Sequence, residues 1–140
     1  MDSSILIAII SASASILVAA VTFYFTKRYQ TQAEWKKEKL EHYRKLLIAL
    51  SDLAIDGKDK DRANQEFSEY CNTICLVASQ DVIHKLMTLH DFFKLPTNKR
   101  NYDREPILIN QLMIEIRKDI GLTKKDNIEK FNFHLIGKKQ

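Results

Sequence analysis

Glycine and proline are almost missing from this chain, which has three of the first (Gly57, Gly121, Gly137) and two of the second (Pro96, Pro106) in 140 residues. Sheet-rich proteins draw on both residues for their turns, so this scarcity excludes such a fold and makes the reading all-α. Two cysteines, Cys71 and Cys75, are too few for a disulfide framework. Charge is missing from one end. From Ser3 to Thr26 no side chain is charged at neutral pH, and Asp2 alone precedes that stretch. Everything after Thr26 carries a formal +5, with all 22 lysines and arginines.

Residues 4–26 read SILIAIISASASILVAAVTFYFT. At ~1.5 Å per residue such a helix is ~34 Å long, enough to cross a hydrocarbon layer of ~30 Å. A cleaved signal peptide needs a basic stretch before the apolar run and small residues after it. Here the start is not basic, and Ser11 to Ser15 lie inside the run. The segment is therefore expected to stay, as a single-pass anchor over residues 1–28. Lys27, Arg28, Lys36, Lys37 and Lys39 follow it within the range that determines topology. They place the remainder in the cytoplasm, the N-terminus outside, and the basic flank within reach of anionic headgroups. The expected location is the inner (plasma) membrane.

Ser4, Ala8, Ser11, Ser15, Ala19, Thr22 and Thr26 recur at steps of three and four, one stripe of small or hydroxylated residues. Close backbone approach and weak interhelical hydrogen bonds drive association in lipid, so the stripe predicts a homo-oligomer. The bland reading is that each hydroxyl bonds back onto its own helix.

Residues 29–136 read as a small cytoplasmic antiparallel helical bundle into which the anchor continues, with residues 137–140 a frayed tail. Leu40, Tyr43, Leu47, Leu50 and Ala54 form the seam of the first helix, which Gly57 closes. A second helix spans about residues 60–78, with Phe67, Cys71, Ile74, Cys75 and Ala78 inward. Ser79 caps a third, carrying Val82, Leu86, Leu89 and Phe93. Pro106 suits the first turn of a fourth, with Ile109, Leu112, Met113, Ile116 and Ile120 inward and Gly121 after it. Thr123 opens a short final helix through Phe131.

The sequence is poor in chemistry. Cys71, Cys75, His84 and His90 lack the paired spacing of a zinc site. His90-Asp91 matches the central dipeptide of HD-type phosphohydrolases, with His84 and Asp119 as the remaining ligands, but no spacing demands it. Helical ribonucleases of toxin and defence systems carry Arg, then His after four to six residues, and no arginine here has that partner. Gly-rich phosphate loops and nucleophile elbows are absent too. No catalytic residue, metal or cofactor is expected. The basic loop from Lys94 to Arg104, with Lys99 and Arg100, is a further candidate for an anionic ligand, and nucleic acid is not an expected partner.

Ala78-Ser79-Gln80-Asp81-Val82 and Glu115-Ile116-Arg117-Lys118-Asp119-Ile120-Gly121 together resemble a loose group of uncharacterised bacterial proteins. Those have one N-terminal membrane helix, a helical cytoplasmic domain and a closing Met-Arg-Lys-Asp-Leu-Gly-like stretch. The similarity covers roughly residues 35–122, with Ile116 and Ile120 where the pattern has Met and Leu. It implies a bacterial origin and a small interaction or effector role, with no activity attached to residues. The expectation is a non-enzymatic protein that self-associates in the bilayer and binds a cytoplasmic protein. The alternative is a membrane-disrupting effector of an anti-phage defence or toxin system, triggered through the bundle.

Overall fold

A computed structural model describes residues 2–54, 59–122, 129–133 and 135. Among them are four α-helices and no strand: α1 (Ser3–Ala54), α2 (Lys60–Ile74), α3 (Gln80–Lys94) and α4 (Arg104–Asp119). A single turn of 3-10 helix, Thr97–Lys99, precedes α4. The chain divides into two compact units, residues 1–37 and 38–140.

In the first unit no glycine or proline interrupts the helix, and the Asp2 carbonyl accepts from the Ile5 and Leu6 amides at its start. Its apolar part is long and apolar enough to cross a membrane, with a mean hydropathy of 2.5 and none of that window buried. All residues from 2 to 37 are exposed.

The second unit is built around one core to which all four helices contribute. Tyr43, Leu46, Ala49 and Leu50 of α1 meet Phe67, Cys71 and Ile74 of α2, Val82, Leu86, Leu89 and Phe92 of α3, and Leu108, Ile109, Leu112 and Ile116 of α4. α3 packs against α4. Edge-to-face stacking of Phe67 on Phe93, centroids 6.1 Å apart, closes one side.

Local chemistry explains where the helices stop. Lys60 Nζ donates to the Leu53 carbonyl at 2.7 Å, satisfying an acceptor at the end of α1. Asp59 caps α2 by accepting from the Asp61 and Arg62 amides at 3.1 and 3.2 Å. Pro106 sits in the first turn of α4, where its missing N–H costs nothing. At the other end Gly121 takes φ +82°, while the Gly121 and Leu122 amides donate to the Lys118 and Arg117 carbonyls at 3.0 and 2.8 Å. This is a Schellman cap, and it bears out the expected role of Gly121.

Several expectations need correction. The seam of α1 turns by about one position: Leu46 and Ala49 are buried, whereas Leu40 is 54% exposed and Ala54 is exposed. α2 ends at Ile74 rather than near residue 78, because the chain tightens there into i to i−3 bonds, Leu76 N–H to Thr73 O and Val77 N–H to Ile74 O. Cys75 is consequently exposed, not inward. In α3 Phe92 is the buried ring and Phe93 is half-buried. In α4 Leu108 joins the core, and Met113 and Ile120 only flank it. Of the expected final helix, Glu129 to Phe131 are not helical, and the rest lies outside the described residues, as do Gly57 and the 137–140 tail.

Candidate functional site

Buried polar contacts converge on one carboxylate. Asp119, the last residue of α4, has a side chain 10% exposed and accepts from Lys39 Nζ at 3.0–3.1 Å, from the Tyr43 hydroxyl, and from the Ser79 amide at 3.4 Å. A carboxylate at a helix C-terminus opposes the helix dipole, so it needs cations and donors from other elements. Here α1 supplies two and the start of α3 supplies the third. The two familiar-looking sequence stretches therefore meet: Ser79 of the first donates to Asp119 of the second. Ser79 occupies the N-cap position of α3, as expected, yet its side chain makes no capping bond.

Burial pushes the Asp119 carboxyl up, but the hydrogen bonds from Tyr43 and Lys39, the Lys39 charge and the Ser79 amide together outweigh it and hold the group below the usual range. Burial, and then the bond to Asp119 and its charge, push the Tyr43 phenol well above its ordinary value. The phenol is thus a poorer acid and the carboxylate a poorer base at neutral pH, the reverse of what proton-transfer catalysis requires. The cluster holds three helices in register.

The side chains weighed above against an HD-type metal site do not come together. Asp119 touches the start of α3 at Ser79, whereas His90 lies three turns further on, about 16 Å along the helix. His90 stacks beside Phe67 with its Nδ1 3.8 Å from Asp91, and His84 is exposed. Among the described residues no three His, Cys, Asp or Glu side chains are placed to hold a metal ion.

Burial, with a smaller contribution from Cys75, pushes the Cys71 thiol up to about 12. A thiol-reactive probe at neutral pH is expected to modify one thiol in the native full chain and two after denaturation, with Cys75→Ala removing the native signal. Modification of Cys71 at the rate of Cys75 in the folded protein would contradict the packing described above.

Arg100 is not a free cation of the basic loop. Its guanidinium donates to the carbonyls of Phe93 and of Leu95, the latter at 2.6 Å, and so closes the end of α3. Lys94, Lys99 and Arg104 are exposed around it. Lys130 adjoins Phe131, whose ring lies 5.5 Å below the Arg117 guanidinium toward the opposite end of α4, so the basic groups form no single patch. Lys124 and Lys125 lie outside the described residues.

In the first unit all seven residues of the small stripe are exposed, and the Ser15 hydroxyl bonds back to the Ser11 carbonyl at 2.8 Å. Lys27, Arg28, Lys36 and Lys37 are exposed, whereas Lys39 belongs to the second unit and to Asp119.

Sequence reasoning placed Asp119, Lys39 and Tyr43 in three different roles and missed their union. The signal was available in part, since an aspartate in the last turn of a helix, two residues before its capping glycine, is out of place electrostatically unless something offsets it. No protein-family model, curated protein or solved structure matches this chain.

Proposed function

We propose that the protein is a single-pass anchor of the bacterial inner membrane, N-terminus outside, whose helices self-associate and whose antiparallel cytoplasmic bundle binds a partner protein. The observation that carries this reading is the apolar stretch of α1, whose most apolar window is unburied among the described residues. A surface of that length in water is strongly unfavourable, and a bilayer removes the cost. Lys27, Arg28, Lys36 and Lys37 set the orientation and meet anionic headgroups. The stripe through Ser11, Ser15 and Ala19 supplies the contact between copies. The Asp119 cluster ties α1, α4 and the start of α3 together and gives the body a fixed shape on which a partner can dock.

The test has two arms. A C-terminal reporter active only in the cytoplasm is expected, and activity only outside it overturns the orientation. Ser11→Leu, Ser15→Leu and Ala19→Leu together are expected to disperse the oligomer while leaving the protein in the membrane, because leucine holds backbones apart without reducing hydrophobicity. An oligomer that survives all three changes removes the stripe from the account. Dye uptake on overproduction, abolished by the same changes, assigns the protein to membrane-disrupting effectors instead.

A further inference from the structure

We draw no further inference here: the strongest candidate, the apolar groove between α1 and α4 lined by Leu40, Ile48, Met113 and Ile120, carries none because nothing in the structure shows what covers it.

Discussion

Replacing Asp119 with alanine is expected to lower the stability of the second unit by about 2–4 kcal/mol, the range for leaving a buried donor and a partly buried cation without their shared partner. Tyr43 is 1% exposed, so its hydroxyl finds no water when the carboxylate goes. Lys39 keeps some contact with solvent and contributes the smaller part. Asp119→Asn retains an oxygen for Tyr43 and relieves the helix dipole, so its loss should be smaller, about 1–2 kcal/mol. The readout is the rate at which Cys71 becomes labelled in a Cys75→Ala background at rising urea, which counts openings of the core. The pH dependence has a definite sign. Asp119 is held below its ordinary 3.8, so its contribution is complete above that value and is lost as pH falls through the lower, folded one. Tyr43 is raised from 10.0, so its contribution is complete below pH 10.0 and lost as pH rises beyond it. Wild type should therefore lose stability at both extremes, by spectroscopic urea titration, and Asp119→Ala should show a shallower acid loss. An alanine variant as stable as wild type at pH 7 would show that the cluster contributes nothing to holding the helices.

Leu46→Ala should be among the most damaging single changes in the core, at about 2–5 kcal/mol. Leu46 is fully buried on the face of α1 that the other helices cover, and truncation removes its contacts while the surrounding helices close only part of the space. Against a total of about 5–15 kcal/mol for a domain, this is a large fraction. Leu40→Ala, six residues earlier and more than half exposed, should change stability by about 0.5 kcal/mol or less. The pair separates the observed face of α1 from the expected seam. Equal losses at Leu40 and Leu46 would restore that seam.

The helices themselves were legible because glycine and proline are scarce and the apolar spacing in α3 and α4 follows a helical period. The Gly121 cap was legible from one residue, since the left-handed turn after a helix suits glycine best. The face of α1 was not. Between residues 40 and 50 apolar side chains occupy positions 40, 43, 46, 47, 48, 49 and 50, nearly the full circumference, and a pattern that is apolar all round does not say which side is covered. That ambiguity is physical, for one arc packs in the core while Leu40 and Ile48 on another are more than half exposed. Nor was the Asp119 cluster legible, because its members are separated by 40, 76 and 80 positions and no local rule links them.

The 80-residue span between Lys39 and Asp119 also bears on how the protein is made. At about 5–20 residues per second, a ribosome takes roughly 4–16 s to produce the carboxylate after the lysine. During that interval Tyr43, Leu46 and Leu50 lack the full set of helices that later cover them. In the proposed anchor the same helix presents two sticky segments in succession, one meant for the bilayer and one that must wait for the last helix to be synthesised. Slowed translation between residues 55 and 120 would prolong that wait, and aggregation during biosynthesis should rise in proportion even though the finished protein is unchanged.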